Sequence, residues 1–173
     1  MKSKPTNMAA SVRARLLRLS KEDGEDFSYV LTRYGLERLL ARLVQSKHRD
    51  LFILKGAMLF RLWSPKLHRP TKDLDLLGTG APDIARLEGI FREICDVALD
   101  ENDGVTFDPA AVHAARIKEE AEYEGVRVNL TGHIGSARLE LQVDVGFGDA
   151  VTPAATEIEL PTLLGAPPPK LRA

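Results

Sequence analysis

The run Phe52–Gly78, FILKGAMLFRLWSPKLHRPTKDLDLLG, constrains this chain more than any other stretch. It reads as strand, glycine turn, helix, polar loop and second strand. Phe52–Leu54 is a short apolar run that ends at Lys55-Gly56. Ala57–Trp63 carries Met58, Leu59, Leu62 and Trp63 at helical spacing. Ser64-Pro65 stops that helix, because proline disfavours helical backbone in the residue before it. Lys66–Lys72 is a basic loop, and Asp73-Leu74-Asp75-Leu76-Leu77 is the next strand, closed by Gly78. Strand residues two apart share a face. Asp73 and Asp75 therefore point one way, and Leu74 and Leu76 point into the core.

Two carboxylates about 6 Å apart repel by about 0.7 kcal/mol in water and about 3 kcal/mol at an effective dielectric of ~20. A cation between them relieves that repulsion. Mg²⁺ suits the place, since it takes a few carboxylate oxygens together with water and substrate phosphates. The alternative is an edge strand with two solvated aspartates, and D-x-D alone does not decide between them. The glycine turn into a helix just upstream adds backbone N–H groups of the kind that hold phosphate. Turn and D-x-D together suit a nucleoside triphosphate. A third carboxylate on a neighbouring strand is then required, and Asp144 is the candidate.

With 173 residues, 44% apolar and 28% charged, the chain has the length and composition of one globular domain. Its one cysteine, Cys95, cannot form an internal disulfide and reads as a buried thiol in a reducing cytoplasm. The start lacks the apolar core of a signal peptide, and no apolar run has the length of a membrane span. A cytoplasmic protein is expected. The net charge of −1 provides no global field for nucleic acid. Basic residues nevertheless gather in the first half, at Arg13, Arg15, Arg18, Arg33, Arg38, Arg42, Lys47 and Arg49. Such runs form solvated helix faces or an RNA-facing surface.

In chain order, residues 1–10 read as disordered, Ser11–Ser20 as a short helix and Phe27–Ser46 as a long one. Gly35 within the second helix points to close packing. Pro82 suits the first position of a helix running to about Ala98. Val105–Phe107 reads as a short strand broken by Asp108-Pro109. A glycine turn at Glu124-Gly125 suggests a hairpin between Arg116–Tyr123 and Val126–Ile134. Arg138–Val145 is the clearest strand, with Leu139, Leu141, Val143 and Val145 on one face and Glu140, Gln142 and Asp144 on the other. The four histidines show no metal-ligand spacing. The expected fold is α/β (α+β), with a mixed sheet of about five strands flanked by helices. Residues 11–150 would form its catalytic domain and 151–173 a proline-rich connector.

Three segments together resemble the AbiEii/AbiGii-type nucleotidyltransferase toxins, within the polymerase-beta-like superfamily. They are Lys55-Gly56-Ala57, Arg69-Pro70-Thr71-Lys72-Asp73-Leu74-Asp75, and Leu141–Asp149 (LQVDVGFGD). The resemblance implies Mg²⁺, a nucleoside triphosphate, RNA as acceptor (the 3′ end of tRNA in some relatives) and a cognate antitoxin. By position it makes Asp73, Asp75 and Asp144 the catalytic and metal-binding set. Lys55, Gly56, Ala57, Arg69, Thr71 and Lys72 become nucleotide-binding. Ala57 stands where many relatives have a second glycine, and Thr71 where serine is frequent. Relatives continue into a helical C-terminal half that carries a further lysine and acidic residue. The expectation is therefore weak transfer by these residues alone, with apolar surface left uncovered and self-association through it. A non-catalytic nucleotide-binding module of the same fold, and an interaction protein with structural aspartates, remain as alternatives.

Overall fold

The computed structural model describes residues 7–56, 58–59, 72–117, 125–148 and 155–173. Helices α1 (Met8–Asp23) and α2 (Phe27–Gln45) open it. β1 (Phe52–Lys55), β2 (Asp73–Gly78), α3 (Ile84–Cys95), β3 (Thr106–Arg116), β4 (Gly125–Ile134) and β5 (Ala137–Gly146) follow. β1 to β5 make one sheet of order β1-β2-β5-β4-β3. β2 and β5 run parallel and the other neighbours antiparallel. The fold is α/β with a five-stranded mixed sheet, as the sequence leads one to expect.

Strand alternation divides the sheet into two chemically different faces. Leu54, Leu74, Leu76, Val126, Val128, Leu141, Val143 and Val145 are buried on one of them. The helices supply the matching apolar side chains: Val12 and Leu16 from α1, Leu36, Leu39 and Leu40 from α2, and Leu87, Phe91 and Ile94 from α3. Phe91 meets Phe52 of β1 with ring centroids 5.7 Å apart. Gly35 lets α2 approach β5, since a Cβ there would lie 2.9 Å from Leu139 Cδ1.

Several boundaries differ from the sequence reading. α1 starts at Met8 rather than Ser11, because the Asn7 side chain accepts the Ala10 N–H at 3.0 Å and caps it. Residues 7–10 are thus its cap and first turn, not disordered chain. Asp83, not Pro82, sets the start of α3 by accepting the Arg86 N–H at 2.9 Å. The strand that pairs with β4 is Thr106–Arg116, which does not break at Asp108-Pro109. A register shift between Asp108 and His113 absorbs Pro109 where no ladder N–H is needed. Arg116 ends β3, and residues 118–123 of the expected strand lie outside the described residues. Within the expected connector, β6 (Glu157–Glu159) and β7 (Lys170–Arg172) form a small antiparallel hairpin. Leu160 and Leu171 join the core there.

The basic face of α2 is not a nucleic-acid surface. Arg33, Arg38 and Arg42 are buried. Arg42 forms a two-pronged pair with Asp103, at 2.8 and 3.1 Å, and lies 4.9 Å over the Phe107 ring. Arg38 sits 3.3 Å from Glu37 and 3.9 Å from Asp103, and Arg33 pairs with Glu25 at 3.2 Å. The described residues show no apolar patch of the kind expected for self-association. Among the described residues Leu17, at 38% exposure, is the only exposed large hydrophobic side chain. Cys95 is buried, and burial pushes its thiol up to about 12. No helix is long and apolar enough to cross a membrane among the described residues.

Glu37 accepts the Leu163 N–H at 2.9 Å and so ties the C-terminal segment to α2. Burial raises its pKa from 4.5, outweighing the pull of Arg38 and of that hydrogen bond. A carboxyl that holds its proton more tightly in the fold favours folding most below its unfolded pKa. That contribution disappears as pH rises through the native value. Glu37→Gln is therefore expected to flatten the decline of stability above about pH 4.5, read from urea unfolding at several pH values. An unchanged slope would assign the decline to other groups.

Candidate active site

The polar face of the sheet carries an ordered row of charge. Residues directly opposite each other in a sheet share a face, and neighbouring strands lie about 4.8 Å apart. Lys55 of β1 is the register partner of Asp75 in β2. Asp75 partners Asp144 in β5, and Asp144 partners Arg127 in β4. The row therefore reads Lys55, Asp75, Asp144, Arg127. One step along the strands, a second row reads Asp73, Gln142, Asn129, His113. The sheet thus brings Asp73, Asp75 and Asp144 onto one face. Leu74 and Leu76, each 1% exposed, hold β2 in place from the other side.

The three carboxylates are not equivalent. Arg127 donates to Asp144 through Nε and Nη2, at 2.9 and 3.1 Å. Asp73 and Asp75 are half-buried on β2. Burial raises the pKa of both, and the charge of Asp144 raises it further. Arg127 and Lys72 pull Asp73 back, and Lys55 pulls Asp75 back. Among the described residues no three His, Cys, Asp or Glu side chains converge as a metal-binding group. The donor chemistry of Asp73 and Asp75 fits Mg²⁺, which binds through one or two carboxylates plus substrate phosphates. Both oxygens of Asp144, the third carboxylate of this face, are engaged by Arg127.

Gly56 has a role beyond that of a turn. It leaves β1 with φ +78°, in the left-handed region. A Cβ there would lie 2.9 Å from Asp75 Cβ and 3.0 Å from Cγ, and closer still to the carboxylate oxygen. The bare backbone makes room for the Asp75 side chain. Gly56→Ala is expected to destabilise the fold by about 1–2 kcal/mol from the backbone conformation alone, and to displace Asp75 as well. Urea unfolding checks the first effect, and a loss below a few tenths of a kcal/mol would contradict it.

Lys72 precedes Asp73 at the mouth of the site. Ala57, Arg69 and Thr71 lie outside the described residues, as does Asp149. An open cleft of about 600 Å³ adjoins Asp73, between Asp26, Ser28 and Tyr29 of the start of α2 and Asn129 and Gln142 of the sheet. Nothing in the sequence signals that the start of α2 borders the site, or gives Arg127 and Asn129 a role. The alternation of Val126–Ile134 already placed both on the polar face.

Residues 38–173 match the family described as nucleotidyl transferase AbiEii toxin of type IV toxin–antitoxin systems. The chain belongs to this family. Its fold is similar to that of JHP933 from Helicobacter pylori, with 14% identity and a TM-score of 0.46 over 84% of this chain and 52% of that one. It is also similar to a candidate nucleotidyltransferase from H. pylori, with 14% identity and a TM-score of 0.42 over 83% of this chain and 53% of that one. The chain spans about half the length of these two structures. No curated protein matches it. The region matched to the AbiEii family holds the polar-face row from Lys55 to Asp144.

Proposed function

We propose that this AbiEii-family chain carries the nucleotide- and metal-binding part of a toxin that transfers a nucleotide from a nucleoside triphosphate to RNA, at the 3′ end of tRNA. The observation that supports it is the half-buried Asp73/Asp75 pair beside Asp144 on the polar face of the sheet, in a chain of this family. Asp73 and Asp75 would hold Mg²⁺, with Asp144 as the third carboxylate. When bound, Mg²⁺ supplies positive charge to the triphosphate and to the oxygens of the transferring phosphoryl group. Lys55 and Lys72 flank the pair and draw the polyphosphate towards it. Arg69 and Thr71 complete the nucleotide contacts in the family pattern. In the reaction an RNA 3′-hydroxyl oxygen bonds to the α-phosphorus as the bond to pyrophosphate breaks. The protein contributes chiefly position and charge. A cognate antitoxin is the protein partner this reading requires.

The pairing of Asp144 with Arg127 favours a second reading, a nucleotide-binding module without turnover. Incubation with each labelled nucleoside triphosphate, Mg²⁺ and total RNA separates the two. Label on RNA with one of the four nucleotides supports transfer. Mg²⁺-dependent nucleotide binding without labelled RNA supports the module, and neither result would remove both.

A further inference from the structure

In the row Lys55, Asp75, Asp144, Arg127, the two adjacent strands β2 and β5 contribute the anions and the strands on either side of them, β1 and β4, the cations. Each carboxylate has a cation of the same chain as its register neighbour. Arg127 and Asp144 are joined by two parallel hydrogen bonds, the geometry in which a guanidinium recognises either a carboxylate or a phosphate. The Arg127 side chain is 43% exposed against 22% for Asp144, so the guanidinium borders solvent on the face where a ligand would enter. Its charge also reaches Asp73, two strands away.

We infer that Arg127 is the resident counter-ion of the acidic site: it holds Asp144 in the nucleotide-free protein and moves to the phosphate oxygens of an incoming metal-bound polyphosphate. This rests on the nucleotidyltransferase reading and adds a positioning residue to it. A divalent cation alone must compete with Arg127 for Asp144. A cation arriving with a triphosphate does not, because the phosphates give the guanidinium a new partner of the same shape and charge. Metal and nucleotide therefore bind cooperatively, and Arg127 carries the coupling.

Mn²⁺ titration of the full chain tests this, with and without an α,β-methylene nucleoside triphosphate, for the wild type, Arg127→Met, Arg127→Lys and Asp75→Asn. Arg127→Met is expected to bind Mn²⁺ alone roughly tenfold more tightly, within the range common for coupling between sites. The increase in Mn²⁺ affinity caused by the nucleotide should shrink by about the same factor. A residue with only a structural role would weaken both. Arg127→Lys keeps the charge and loses the fork, so it should shift in the same direction by a smaller factor. It decides the question if Arg127→Met does not fold. Unchanged or weaker Mn²⁺ affinity in the folded variants overturns the inference while the metal site stands. Wild-type affinity no greater than that of Asp75→Asn overturns the metal reading and the inference together.

Discussion

Asp75→Asn is expected to lower nucleotide transfer by about 10²–10³-fold, the scale of removing one preorganised electrostatic group from an active site. It should do so without unfolding the protein. Asp75 lies on β2 between Lys55 and Asp144, and Leu74 and Leu76 fix its strand from the opposite face. A carboxamide has the same shape, so the sheet is undisturbed. Burial and the charge of Asp144 both raise the pKa of Asp75. The native state therefore binds this proton more tightly than the unfolded chain does. The ionised group opposes folding at neutral pH, and its protonated form does not. Asparagine should leave stability equal or slightly higher at neutral pH, with the difference vanishing below the ordinary carboxylate range. Mg²⁺ plus nucleotide should raise the melting temperature of the wild type by mass action and leave the variant unmoved. Transfer by the variant within a few-fold of wild type would remove Asp75 from the chemistry.

Asp103→Asn is expected to destabilise the fold by about 3–5 kcal/mol, the usual range when one partner of a buried ion pair is removed. Asp103 holds Arg42 at 2.8 and 3.1 Å, and its Oδ2 lies 3.9 Å from Arg38. Its backbone carbonyl accepts the Tyr34 hydroxyl at 2.7 Å. Both guanidiniums are buried, so loss of the carboxylate takes from Arg42 its ion-pair partner and leaves Arg38 with Glu37. Pairing Asp103→Leu with Arg42→Met should recover part of the loss, because the two charges then leave together. Urea unfolding measures both variants. A loss under about 1 kcal/mol for Asp103→Asn would show that the pair is screened well enough to be dispensable.

Period-two alternation was enough to locate β2 and β5, and it also placed their aspartates on the polar face. The reason is local: a strand buried on one side writes its register into its own residues. Gly35 was legible for a similar reason, since a glycine inside a strong helical pattern needs a close neighbour. Asp103 was not legible. In Asn102-Asp103-Gly104 it looks like an ordinary turn residue, and its importance comes from arginines distant in sequence. Those arginines were misread in turn, because a basic stripe on a helix looks the same whether water or a buried carboxylate faces it. β3 was cut short because proline normally ends a strand, and the register shift that accommodates it depends on the partner strand. The pairing of Asp144 with Arg127 was hidden too. Alternation showed the face each residue occupies, while only the hairpin register showed that they are opposite.

That register bears on the order in which the protein assembles. Arg127 and Asp144 are 17 residues apart on the arms of one hairpin. Hairpins close in about 1–10 μs. β2 joins β5 through a long-range parallel pairing, which comes later because more chain entropy must be lost first. Asp144 is therefore expected to be paired with Arg127 before the acidic strand arrives. Hydrogen exchange during refolding reads that order directly, with β4 and β5 amides protected before those of β2. The same ion pair that restrains the mature site is then expected to form before its two acidic strands are laid side by side.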